Sequence, residues 1–202
     1  MKILLINLFI ILNAGAAFEI SSNMPLFNGS ASSGVASVTS FASYLINPAL
    51  SAPSEGSQAG FVYHKPYGLN ELNFGGLVTH TRFGQYGAGA AINTFGNQLY
   101  RESRLSINLS RRMAEKFWMG TSIHIYSVSI TNYGNSWASG VDLGVCYGIT
   151  SQFYTGFALQ NINRPGLYGK EDQLPMHIRW GFSYLVSDKM FINAALQKDE
   201  HF

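Results

Sequence analysis

The chain has 202 residues, enough for one domain, with charged residues at only 12%, aromatic residues at 14% and 21 glycines. That charge fraction is about half the ordinary soluble share, which disfavours a well-solvated globular surface and suits a sheet with one face in lipid. A net charge of +2 gives no reason to expect a nucleic-acid partner, and the single cysteine, Cys146, excludes an intrachain disulfide and a zinc cluster of cysteines.

In chain order, the first segment reads as an export signal. Lys2 supplies the positive start, residues 3–12 are apolar apart from Asn7, and Asn13-Ala14-Gly15-Ala16-Ala17 supplies small residues. This three-part plan predicts residues 1–17 as a signal peptide cut after Ala16 or Ala17. The apolar run is far shorter than the roughly 20 residues of a membrane helix, and no later stretch qualifies. An exported chain without a helical span can cross a membrane only as a barrel.

Residues 18–56 form an N-terminal segment ahead of the strands. Its part 28–46 is rich in Gly, Ala and Ser and ends in Phe41-Ala42-Ser43-Tyr44-Leu45-Ile46. A short helix or an irregular plug is expected there. Asn47-Pro48-Ala49 follows; the proline disfavours helix at Asn47, so a helix would stop at this point. Residues 51–57, rich in Ser, Pro and Gly, read as a connector.

From residue 57 the dominant period is two. Met176, Ile178, Trp180, Phe182, Tyr184 and Val186 alternate with His177, Arg179, Gly181, Ser183 and Leu185. Val141, Leu143, Val145, Tyr147 and Ile149 alternate with Asp142, Gly144, Cys146, Gly148 and Thr150. Such alternation predicts strands between two unlike environments. Nine strands are expected: 57–64, 70–82, 85–96, 99–110, 117–130, 137–149, 152–161, 176–186 and 190–198. Most are longer than the roughly 5–6 residues of a soluble strand and match the roughly 9–11 of a membrane strand. Connectors are expected to alternate short (83–84, 111–116, 150–151, 187–189) and long (65–69, 96–99, 131–136, 162–175), which is the layout of outer-membrane barrels. Glycines inside the strands, among them Gly87, Gly89, Gly120, Gly144, Gly156 and Gly181, permit curvature or leave room for a plug. Tyr67, Tyr86, Trp118, Trp137 and Phe153 near strand ends are expected interfacial anchors. The fold class is therefore all-β, an antiparallel transmembrane β-barrel with residues 57–202 as its wall.

Asn47-Pro48-Ala49 ahead of the first strand resembles the N-terminal region of FadL-like outer-membrane barrels. Tyr100-Arg101-Glu102-Ser103, Leu159-Gln160-Asn161-Ile162-Asn163 and Leu174-Pro175 followed by Ile178-Arg179-Trp180-Gly181-Phe182-Ser183-Tyr184 resemble its PorV/PorQ-type branch. The resemblance implies a barrel of about fourteen strands with the N-terminal segment folded inside as a hatch. An odd count of nine departs from the even number of a closed up-and-down barrel, and a truncated wall is the expected reason. The resemblance implies two roles: passage of hydrophobic small molecules across the outer membrane, or service to secreted proteins in type IX secretion. Its partners would be outer-membrane lipid and one of those two cargoes.

Asn47, Pro48 and Ala49 are the candidate hatch element, read either as a gate or as a helix stop leading into the first strand. Arg104, Asp142, His177 and Arg179 are expected to face the lumen, where they line a path, clamp the hatch, or form a structural network of paired charges. The last is the preferred reading. Catalysis is not expected: no GxSxG elbow occurs, and His64, His80, His124, His177 and His201 are scattered. No cofactor or metal is expected. A soluble exported β-sheet carrier is the competing class; it would pack Trp180 and Phe182 against a second sheet.

Overall fold

In a computed structural model of the chain, residues 18, 33–38, 40–69, 71–168, 172–187 and 190–200 are described. The expected signal segment and Phe202 lie outside them, as does the side chain of Tyr67. The chain is all-β. Nine antiparallel strands form one sheet in sequence order: β1 (Ser57–His64), β2 (Asn73–Phe83), β3 (Tyr86–Gly96), β4 (Tyr100–Ala114), β5 (Phe117–Ile130), β6 (Gly134–Gly148), β7 (Phe153–Gln160), β8 (Met176–Ser187) and β9 (Met190–Glu200). Each strand pairs with its neighbours in sequence, and β1 is not paired with β9, so the sheet is open.

The alternating pattern sets the two faces. On β4, Glu102, Arg104, Ser106, Asn108 and Ser110 are buried, while Leu105, Ile107 and Leu109 are exposed. On β6, Asp142, Gly144 and Cys146 are buried between the exposed Leu143 and Tyr147. On β8, Arg179, Gly181 and Ser183 are buried, while Trp180 is 47% exposed and no second sheet covers it among the described residues. Pairing carries this parity across the sheet: Arg104 faces Tyr126, Ser106 faces His124 and Ser122 faces Asp142. The result on β4, β5, β6 and β8 is an inverted polarity, with polar side chains enclosed and large apolar ones outward.

What encloses the polar face is the N-terminal segment. It runs as short 3-10 turns, η1 (Gly34–Ala36), η2 (Ser43–Leu45) and η3 (Pro48–Ser51). η3 touches β2 to β6, and η1 touches β7 to β9. Strands from β2 to β9 thus bend round one short segment. Val35, Tyr44 and Ile46 pack with Phe74, Val78, Ala91, Phe95 and Ala158 in the main apolar core. Ala49 and Leu50 pack on Cys146 beside Trp118 and Tyr154.

Several expectations need correction. The short helix expected in 41–46 is a 3-10 turn that ends before the extended Asn47, as expected; what was not expected is that Pro48 opens a further turn, η3. Its missing N–H is harmless at a first helical position, and the Asn47 side chain caps the turn. β4 extends to Ala114 through a bulge between Arg112 and Ala114, leaving a connection of residues 115–116 alone. β6 starts at Gly134, so the expected long loop 131–136 shrinks to 131–133; the 96–99 connection, hardly longer than a turn in the sequence, spans 97–99. Backbone pairing continues there beyond the apolar run that marked the strand. Trp118 is not on the outward face: it shares parity with Gly120 and His124 and packs beside the N-terminal segment.

Candidate functional site

Six glycines along the inner face mark where the N-terminal segment lies. A methyl group at Gly87 would overlap the Ser51 carbonyl, one at Gly120 the Pro48 carbonyl, and one at Gly156 the Val35 carbonyl. At Gly144 it would overlap the Asn47 side chain, and at Gly89 it would lie 2.5 Å from the Tyr44 ring. At Gly181 it would lie 2.7 Å from a Val35 methyl. At Gly87, Gly120 and Gly156 the segment's backbone occupies the space of a side chain, at Gly89 and Gly144 its side chains do, and at Gly181 the Ala194 carbonyl of β9 crowds the position together with Val35.

Hydrogen bonds then fix the segment, since its buried turn peptides need partners. Asn47 is central. Its Oδ1 accepts from the Ala49 amide (3.1 Å), and its Nδ2 donates to the Val35 carbonyl (2.7 Å) and the Val145 carbonyl of β6 (2.9 Å). One side chain therefore joins η1, η3 and the sheet. Asn108 Nδ2 donates to the Pro48 carbonyl at 3.0 Å. Ser51 Oγ lies 2.5 Å from Asn108 Oδ1 and 2.7 Å from Ser110 Oγ, while His80 Nε2 donates to the Ser51 carbonyl at 2.7 Å. Gln160 Nε2 donates to the Leu45 carbonyl at 3.0 Å. Tyr44 donates its hydroxyl to the Thr79 carbonyl at 3.0 Å, and burial pushes its pKa up, so it remains a donor. Asn47, Pro48 and Ala49 are all fully buried.

Arg104 and Asp142 meet through His124. The imidazole Nε2–H donates to Asp142 Oδ2 at 2.7 Å, which leaves Nδ1 to accept from Ser106 Oγ (2.8 Å) and from Arg104 Nε (3.3 Å). Asp142 Oδ1 accepts from the Asn161 amide at 2.9 Å. Tyr126 donates to Asn161 Oδ1 at 2.8 Å, and the Arg104 guanidinium lies 5.5 Å from the Tyr126 ring centre. Asn161 sits at φ 53, a left-handed position that Asn tolerates better than bulkier residues. Ser, His and Asp at these distances are the side-chain types of a hydrolytic relay. Here Ser106 is 1% exposed, and the hydrogen bonds of the group link β4, β5, β6 and the residue that follows β7.

Arg179 and His177 belong to a second relay. His177 Nδ1 donates to Asp199 (2.6 Å), Gln197 Nε2 donates to the same carboxylate (2.7 Å), and Arg179 Nε donates to Gln197 Oε1 (2.7 Å). Arg179 Nη1 then donates to Gln160 Oε1 at 2.5 Å. Because Gln160 also holds Leu45, this relay links β9 to the N-terminal segment. His177, only half-buried, stands at its outer end. The four charged residues singled out from sequence therefore divide between two networks and do not converge on one point. Among the described residues, no three of His, Cys, Asp and Glu gather to hold a metal ion.

Sequence reasoning left out Glu102, Ser106, Asn108, Gln160 and Asn161 as candidates. Glu102, Ser106 and Asn108 share parity with Arg104, so following that face from 102 to 108 would have found them. Gln160 and Asn161 carried only the family-like motif. Comparison with protein-family models, with curated proteins and with solved structures gave no match.

Proposed function

We propose that the chain is part of the wall of an outer-membrane β-barrel of the FadL/PorV type, with its N-terminal segment as a hatch on the lumen face. One observation carries the reading: large apolar side chains stand outward along the sheet, and on β4 to β6 they stand opposite an enclosed polar row. Leu77, Ile92, Ile107, Ile123, Leu143 and Trp180 are 45–60% exposed, while Arg104, His124 and Asp142 opposite them are buried. In water each such aliphatic or aromatic side chain forgoes about 1.5–3 kcal/mol of burial; in lipid it forgoes none. Strand lengths of 11–15 residues in β2 to β6 suit a tilted membrane crossing. In hydrocarbon, the free edges of β1 and β9 need strand partners, since no water satisfies them there. The barrel serves the passage of hydrophobic molecules or the handling of secreted proteins, the two roles that go with the resemblance.

The first test is fractionation of the expressing cell followed by gel mobility with and without boiling. The expected result is an outer-membrane, detergent-requiring protein whose mobility changes on heating. Recovery in buffer without detergent would instead favour the soluble carrier. Uptake of a labelled fatty acid and co-purification with exported proteins separate the two roles.

A further inference from the structure

Glu102 is a buried carboxylate, 4% exposed, on the inner face of β4. It has two partners among the described residues. Tyr100 donates its hydroxyl to Oε1 at 2.7 Å, and the backbone nitrogen of Phe18 donates to Oε2 at 3.0 Å. No Lys, Arg or His side chain pairs with it among the described residues. A buried carboxylate without a cation is costly. The one group placed to repay it is the nitrogen of Phe18, which as a peptide N–H carries no charge.

Phe18 is itself anomalous. Its backbone sits at φ 69, a left-handed position rare for a bulky residue. That torsion exists only while residue 17 is attached through the peptide bond. The Phe18 ring is buried with Tyr126, Val128, Leu167 and Leu174, and it meets Tyr126 edge-on at 4.8 Å. Directly before it stands Gly15-Ala16-Ala17, small residues at the end of the export signal expected from sequence.

We propose that the chain is processed between Ala17 and Phe18, and that the new α-ammonium of Phe18 is the missing counter-ion of Glu102. Hydrolysis consumes one water: the Ala17–Phe18 C–N bond breaks, Ala17 leaves as a carboxylate, and Phe18 keeps its nitrogen as an ammonium. The cut removes the strained torsion and supplies the positive charge in one step. Glu102, Tyr100 and the pocket holding the Phe18 ring then form a receptor for the chain's own processed N-terminus. Leu167 and Leu174 bring the 161–175 connection over it, so the docked terminus also pins that loop to β5. Cleavage after Ala16, equally permitted by the sequence, would place the amine one residue away from the carboxylate.

This inference rests on the export signal of the proposed function, and the test separates the two. The protein is purified from the membrane fraction and its first residue determined by N-terminal sequencing and intact mass. Phe18 is expected. A chain in the outer membrane that begins at Ala17 or elsewhere overturns the inference and leaves the barrel reading standing; a chain retaining Met1 in the cytoplasm sinks both. A second measurement uses an amine-reactive ester on the folded protein. The α-amine is expected to stay unlabelled until denaturation, and Glu102→Gln is expected to abolish that protection in a protein whose mobility remains heat-modifiable. Equal labelling of the folded wild-type and denatured protein overturns the docking.

Discussion

Gly144 and Asn47 show how closely single residues fit one another here. At Gly144 a methyl group would land on the Asn47 side chain and 2.8 Å from the Pro48 ring. Gly144→Ala should therefore destabilise the docked segment by about 1–3 kcal/mol, the usual cost of overpacking. Gly75→Ala is the control, because its nearest neighbour would be a Thr94 methyl at 3.9 Å. Limited proteolysis within residues 33–52 reads the difference, with faster cleavage expected for the first variant alone. Asn47→Ala removes three hydrogen bonds and leaves two carbonyls to find other partners, so about 1–3 kcal/mol is again expected in the same assay. The recurrence of glycine on alternating positions was legible in the sequence as room for a plug. Which glycine receives which turn was not, because that depends on how strands far apart in the chain bend round one segment.

At the scale of the element, the strand pattern was legible wherever apolar and polar residues alternate strictly. β1 and β5 have the expected bounds, and β8 ends one residue later than expected. The ends of β4 and β6 were not legible: Arg111-Arg112 and Gly134-Asn135-Ser136 are turn-like in composition, yet backbone pairing runs through them. Trp118 was misplaced because proximity to a strand end says nothing about face; only parity does. The cross-brace of β4, β5 and β6 yields a sharper expectation. Removing His124 strands Asp142, which is 1% exposed. His124→Ala should cost about 3–5 kcal/mol, as for other buried pairs broken on one side. Chemical denaturation in detergent checks it, and Asp142→Asn, which keeps the shape and the acceptor for the Asn161 amide, should cost less.

For the whole molecule, the decisive quantity is what the outward face touches. Ile107 is 60% exposed in the middle of β4. If that face meets lipid, Ile107→Arg should destabilise the folded protein by about 2–4 kcal/mol, the price of a cation near the bilayer midplane. If it meets water, the same change should fall within about 0.5 kcal/mol of neutral. Equilibrium unfolding from lipid vesicles distinguishes these outcomes. The sheet itself was readable from periodicity, and its openness only through the odd count of nine strands, since closure is a relation between the first strand and the last.

The seating of the 34–52 turns carries a consequence for how the molecule is assembled. Successive strands meet across turns as short as residues 84–85 and 115–116, so hairpins can zip together early. Asn47 and Gln160, by contrast, join positions 98 and 115 residues apart, and such long closures come late. A sheet formed before the segment docks would present its row of glycines bare, and would leave Asn108 and His80 without the Pro48 and Ser51 carbonyls. Arrival of the leading turns is then the step expected to fill that face and fix the wall.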